Sequence, residues 1–428
     1  MRPTMFNLVL SPLLFCGSLL AQNSSVVPPL VIRDVTVIDG TGAKPQTAMT
    51  VVIRNGRIAE IRQPTQAKVP NGARVIDGTG KFLIPGLWDM HGHLTDAGEG
   101  ALTQLIENGV TGVRDMGGDM ELVRGWRREI EKGTRIGPHI VAAGPLLDGP
   151  TQAKWHVVAH NEAEARALVR SIKQQGADFV KIHTNLSRDA FFAAVDEAKK
   201  QGMPIAVHLP RALTMAEASD AGANSLEHVE MLVQSALSQQ DSATKKLSDR
   251  QRIDAAFESL NDERGTALWA RLVKNRTWFV PTMVAYERGF VLWSNKPEAM
   301  LLRRPIHLKQ MDLVGAMHKA GVKVLAGSDF SDWALVPGVD LHNELALLVE
   351  TGFSPMEALQ TATILPAEFL GKKADFGSVE VGKVADLVLL DADPLESISH
   401  TRKIHAVILG GNYLDIVNMR KAMVQPRR

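Results

Sequence analysis

The two ends of the chain and its middle carry different hydrophobic periods. From about 30 to 80, short β-rich runs alternate with turns in "LVIRDVTVIDGTG", "MTVVIRNGRIAEI" and "ARVIDGTGKFLIPG". Apolar and polar positions alternate as half-buried strands require, and Asn55-Gly56 and Asp77-Gly78 are turn dipeptides. The C-terminal end repeats the pattern in "FGSVEVGKVADLVLLDADP" and "IHAVILGGNYL". Two such ends predict one small β-sandwich domain built from both termini, over 30–85 and 371–428. Two unrelated hairpins would carry the same local pattern.

Between them, over 86–370, strand-length apolar runs alternate with helix-like segments. Five of the runs follow a Gly that ends a polar stretch: Gly109, Gly176, Gly202, Gly222 and Gly321. Gly is the expected helix terminator there. Helix starts are marked by Asn161 with Glu164, Thr214 with Glu217, and Ser354-Pro355 with Glu357, all at capping-box spacing. The strands fall at about 87–91, 110–116, 139–147, 179–183, 204–209, 225–229, 278–283 and 322–329. Eight strands alternating with helices predict an α/β architecture, a (β/α)8 TIM-like barrel. The polar, helix-prone segment 232–275 reads as an elaborated sixth helix or as part of a lid.

Composition narrows the setting. The 428 residues are 45% apolar, enough for a sizeable core, and a net charge of +1 argues against nucleic acid or an anionic membrane as partner. Residues 1–21 have Arg2, an apolar stretch from Met5 to Leu20 and a small residue at Ala21, the pattern of a secretory signal peptide. An apolar N-terminal helix or anchor is the plainer alternative, made less comfortable by Pro12 and Gly17. Cys16 is the sole cysteine, and Phe15 before it is a poor fit to a lipoprotein signal. Cleavage after Ala21 would give a periplasmic or secreted protein without a thiol, not membrane-bound, whose metals must be held by His and carboxylate. A homo-oligomer is compatible with this composition.

In a barrel, the C-terminal strand ends converge on the active site. His91 and His93 end the first strand, Lys181 lies near the end of the fourth, and His208 and His228 end the fifth and sixth; Asp329 ends the eighth. Singly, each admits a plain reading as core histidine, edge lysine or helix cap. Jointly, four histidines, a lysine and a carboxylate at one mouth would leave buried donors and charges uncompensated without a metal. Strand alternation puts Asp89 on the ligands' side as a supporting group, with Trp88 and Met90 facing away. His156, His183, Arg211, Tyr286, Asp332 and Trp333 lie on or after strand ends, where loops choose a substrate.

The motifs "PGLWDMHGH", "GADFVKIH", "IAVHLP", "SLEHV", "LAGSD" and "GSVEVGKVADLVLLDADP" are ordered along the whole chain past the signal. The chain thereby resembles the metal-dependent amidohydrolase superfamily, especially its imidazolonepropionase-like and prolidase-like members. The resemblance implies two divalent ions, zinc before manganese, cobalt or iron. His91, His93 and Asp329 would hold one ion and His208 and His228 the other, with N6-carboxylated Lys181 between them. It further implies a metal-bridging hydroxide that attacks an amide carbonyl, with Asp329 as general base and then acid. A small-molecule substrate follows, and export favours a dipeptide or N-acyl amino acid. The alternatives are a cyclic-amide or lactone hydrolase, with one ion as in some imidazolonepropionase-like members, and a metal-free barrel kept for binding.

Overall fold

The computed structural model describes residues 28–66, 68–240, 242, 244–292, 297–331 and 335–418. The signal-like segment 1–21 with Cys16, and the candidate contacts Asp332 and Trp333, lie outside them.

Both ends of the chain enter one eight-stranded sheet. Strand Phe82–Pro85 runs parallel to Leu30–Val37 on one side and antiparallel to Leu387–Leu390 on the other, with Leu83 opposite Leu389. The terminal segments are therefore partners rather than separate hairpins. Asn55 and Gly56 both adopt positive φ (51° and 74°), the tight turn whose twist matches its flanking strands, and Arg54 pairs with Arg57 across it. Inward-facing Ile32, Val35, Val51, Leu83, Leu387 and Ile408 share one apolar core.

The middle forms the barrel of an α/β fold. Leu87–Gly92, Val110–Asp115 and His139–Ala142 pair in parallel, as do Leu146–Asp148, Val180–Ile182, Ile205–Val207, Ser225–Glu227 and Trp278–Val280. The eighth run closes the ring without a continuous ladder. Its neighbours are reached through Phe279 N–H to Lys323 O (2.9 Å), Met90 N–H to Ala326 O (2.9 Å) and Asp329 N–H to His91 O (2.6 Å). The run expected over 139–147 breaks in two at Gly144, whose φ is +68°. A short strand at His156–Val158 was not expected and pairs with Leu146–Asp148. The three anticipated helix caps are present, those at Thr214 and Ser354 as complete capping boxes. Segment 232–275 is helical: Glu230–Ser238, Asp249–Asn261 and Glu263–Asn275.

One expectation about side-chain direction is corrected. Trp88 and Met90 do not face away from the ligands' side; they join Met116, Phe179, Ala206, Val280 and Leu325 in one cluster, in which Phe179 lies two residues before Lys181 and Ala206 two before His208. The cause is a bulge. Asp89 pairs with Val113 and Gly92 with Asp115, so the first strand carries one residue more than its neighbour over this interval. The extra residue breaks the two-residue period and turns His91 inward above Met90.

Close packing of this interior depends on a residue without a side chain. A Cβ at Gly112 would sit 2.2 Å from the Trp88 indole. Gly112→Ala should therefore lower stability by about 1–3 kcal/mol through overpacking, read as a shift in the urea midpoint at unchanged slope.

Candidate metal centre

All six residues singled out at the strand ends meet at one mouth of the barrel. His91 Nε2 and His93 Nε2 lie 3.3 and 3.2 Å from Asp329 Oδ1, and His228 Nδ1 lies 3.9 Å from Asp329 Oδ2. The His91 and His228 rings are 4.6 Å apart between centroids, and those of His208 and His228 4.7 Å. Lys181 is 1% exposed beneath them. Its charge is felt by His91, His93, His208 and His228 alike. A cavity of about 300 Å3 opens above, bounded by His93, His183, His208, His228, Glu230 and Asp329. His228 and Asp329 both have positive φ, 72° and 59°. For residues other than glycine this is a strained backbone, of the kind that concentrates at functional sites.

Burial sets the protonation of these groups. It pushes His91, His208 and His228 well below the usual imidazole range, reinforced by the positive charge of Lys181 and of neighbouring rings. Neutral imidazoles are what metal ligation requires. His93 is also penalised by burial, but Asp329 and Asp115 beside it raise it overall. Burial, aided by Arg114, brings the Lys181 amine down to about 8 against the opposing pull of Glu227 and Asp329. It also lifts Glu230 to about 7, with the Asp329 charge adding to the effect.

The donor set fits divalent cations. His91 Nε2, Lys181 Nζ and His208 Nδ1 are buried and make no hydrogen bond among the described residues. Such orphaned atoms converging on one point ask for a cation. Nitrogen and oxygen donors without sulfur suit zinc, manganese, cobalt or iron.

A layer that sequence reading missed supports the ligands. Glu227, fully buried, sits 2.8 Å from His91 Nδ1 and takes two bonds from Arg114 Nη2, at 2.9 and 3.0 Å. Arg114 is itself buried and also donates to the Met90 carbonyl (2.7 Å) and Ser225 Oγ (2.9 Å). The available signal was a charged residue inside each of two apolar strands, "VTGVRDM" and "SLEHV". Asp89 does support the centre, though not through a ring. Its carboxylate accepts from the His91 and Ser328 amides (3.1 and 3.0 Å) and the Ser328 hydroxyl (2.6 Å), tying the first strand to the residue before Asp329. His228 Nδ1 shares a hydrogen bond with Thr282 Oγ1 at 3.0 Å.

The proposed substrate contacts separate into three places. His156 and His183 converge on Asp148 Oδ2, at 3.0 and 3.4 Å. Burial penalises the Asp148 carboxylate, but these imidazoles and the Asn185 and Gly149 amides together hold it well below its usual range. His183 lines the metal cavity with its ring 4.4 Å from that of His208. Arg211 donates instead to Asn185 Oδ1 at 2.7 Å. Tyr286 stacks on His307 (5.3 Å) and lines an adjoining cavity.

A family model described as "Amidohydrolase family" matches residues 82–414. The ochratoxinase of Aspergillus niger is 26% identical over 383 residues, covering 74% of this chain and 71% of its own. Among solved structures, a candidate prolidase from Bifidobacterium longum superposes with a TM-score of 0.74 at 26% identity, over 91% of this chain and 95% of that one. Phenylurea hydrolase B superposes with a TM-score of 0.69 at 25% identity, over 91% and 97%.

Removing the charge of Glu227 tests the supporting layer. Glu227→Gln leaves Arg114 buried without its anionic partner, so urea unfolding should show a loss of about 3–5 kcal/mol. His91 loses its anchor in the same variant, and chelator competition should show metal affinity about 10- to 100-fold weaker.

Proposed function

The chain belongs to the amidohydrolase family, metal-dependent enzymes acting on carbon–nitrogen bonds, and on that premise we propose that it hydrolyses the amide of a dipeptide or N-acyl amino acid. The observation that carries this reading is the convergence of His91, His93, Lys181, His208, His228 and Asp329 under a cavity of about 300 Å3. That volume suits a small amide. Similarity to a candidate prolidase and a phenylurea hydrolase is in keeping with it.

In this proposal His91, His93 and Asp329 hold one ion and His208 and His228 the other, with Lys181 shared as its carbamate. Bound there, two such ions would polarise the scissile carbonyl and bring a water pKa toward neutrality. The remaining work falls to the chain. Burial at about 8 gives the Lys181 amine a far larger neutral fraction near neutral pH than an exposed lysine has. A neutral amine can attack carbon dioxide, forming the N–C bond and releasing a proton. Asp329, within 3.3 Å of both His91 and His93, takes the proton of the attacking water and returns it to the departing nitrogen. Glu227 fixes the His91 ring through Nδ1, so that Nε2 faces Asp329. The 1–21 segment supports export as the setting in which the protein meets such substrates.

Elemental analysis after metal-replete expression should find two divalent ions per chain, and intact mass of the Lys181 peptide under non-acidic conditions should carry the added mass of carbon dioxide. Asp329→Asn should cut kcat on a hydrolysed dipeptide by about 100-fold or more. Activity unchanged in that variant, or faster hydrolysis of cyclic amides and lactones than of any dipeptide in a common screen, would count against the reading. Expressed with its own N-terminus in a bacterial host, the protein should recover from the periplasm with residue 22 first, as N-terminal sequencing reads. Retention of Met1 would remove the export proposal.

A further inference from the structure

Glu230 stands at a junction that the metal centre does not account for. It opens helix Glu230–Ser238, two residues past His228, and its side chain bounds two cavities at once. One is the metal cavity. The other, about 330 Å3, lies beneath the helical segment 230–275 and is walled by Val233, Leu237, Ile253 and Ile306. Among the described residues no Lys or Arg forms an ion pair with Glu230, and it lines the metal cavity together with Asp329. A carboxyl group that shares a cavity with a second carboxylate and has no cation of its own among the described residues is a receptor for one.

The second cavity has a polar mark of its own. Gln310 is 1% exposed and lines it, and its Oε1 has no hydrogen-bond partner among the described residues. Leaving such an acceptor unmet is unfavourable, and a ligand that donates to it gains that interaction. Met231, Val233, Leu237, Ile253 and Ile306 make most of the remaining wall apolar; Tyr286 also lines it, and Gln234, which lines it too, gives its amide N–H to the Leu209 carbonyl at 3.1 Å. Its occupant therefore has an apolar body and one N–H or O–H donor, the character of a tyrosine or tryptophan side chain.

These features sit in the order that the N-terminal residue of a dipeptide would need. Its carbonyl, α-ammonium and side chain all branch from one carbon, and here a metal centre, an unpaired carboxylate and an apolar cavity follow one another. We propose that the substrate is a peptide with a free α-ammonium bound by Glu230 and a bulky donor-bearing N-terminal side chain held in the cavity beside Gln310. This rests on the amide-hydrolase reading and sharpens it, because an N-acyl amino acid carries no ammonium at that position. Glu230 acts here in binding and not in proton transfer.

The test compares Tyr-Xaa, Phe-Xaa and Gly-Xaa dipeptides with their N-acetyl forms in wild type, Glu230→Gln and Gln310→Leu. Wild type should favour the free amine over its N-acetyl form by about tenfold or more in kcat/KM. In Glu230→Gln that ratio should collapse toward one, chiefly through KM. In Gln310→Leu the preference for Tyr over Phe should vanish while the free-amine preference stays. An N-acetyl preference in wild type, or ratios unchanged in Glu230→Gln, overturns the proposal. Should no amide be hydrolysed by the metal-loaded wild type, the amidase reading itself fails. Calorimetry with L-tyrosinamide and its N-acetyl form then judges the subsite alone. Tighter binding of the free amine that is lost in Glu230→Gln upholds it, and equal binding of the two overturns it.

Discussion

The pairing of Arg114 with Glu227 inside the barrel is the interaction on which the site depends. Two opposite charges taken out of water persist only if each is met by several directed bonds. Here both Glu227 oxygens face Arg114 Nη2, while Arg114 Nε donates to the Met90 carbonyl and Nη1 to Ser225 Oγ. The same Glu227 carboxylate reaches His91 Nδ1, so one buried ion pair spans the second and sixth strands and fixes a ring on the first. Loss of either charge would strand the other in a medium that cannot solvate it.

Above that pair, burial does the chemical preparation. It removes the proton from three imidazoles and loosens that of Lys181, leaving electron pairs directed at one volume. Asp329 and Glu230 line the cavity that opens above these groups. Such a donor set favours small cations at the centre, and the carboxyl group at the cavity's edge favours a cationic group there. Shape and charge thus agree on where a metal belongs and where an ammonium would.

Much of this was legible along the chain, for reasons that differ from residue to residue. His91, His93, His208, His228, Lys181 and Asp329 stand out because polar residues at the ends of apolar strands have few places to go in a barrel. The caps at Asn161, Thr214 and Ser354 read correctly because a cap is local, decided within four residues. Trp88 and Met90 were assigned the wrong side because strand alternation assumes an even ladder. The bulge between Asp89 and Gly92 exists only in relation to Val113 and Asp115 on the neighbouring strand. Arg114 and Glu227 were passed over since both fall inside the expected strands 110–116 and 225–229, and 113 residues separate the partners. Asp148, His156 and His183 gave no joint signal for the same reason.

Pattern and spacing in the sequence determined the alternation of strands and helices, the return of the C-terminus to the N-terminal sheet and the six donors at the strand ends. Each follows from local periodicity or from a residue type that a barrel can hold in few positions. Tertiary structure alone decided which way the first strand faces, which acid anchors His91 and that Glu230 divides two cavities. Those are contacts between distant segments, set by how the barrel closes, and no short window of sequence contains both partners.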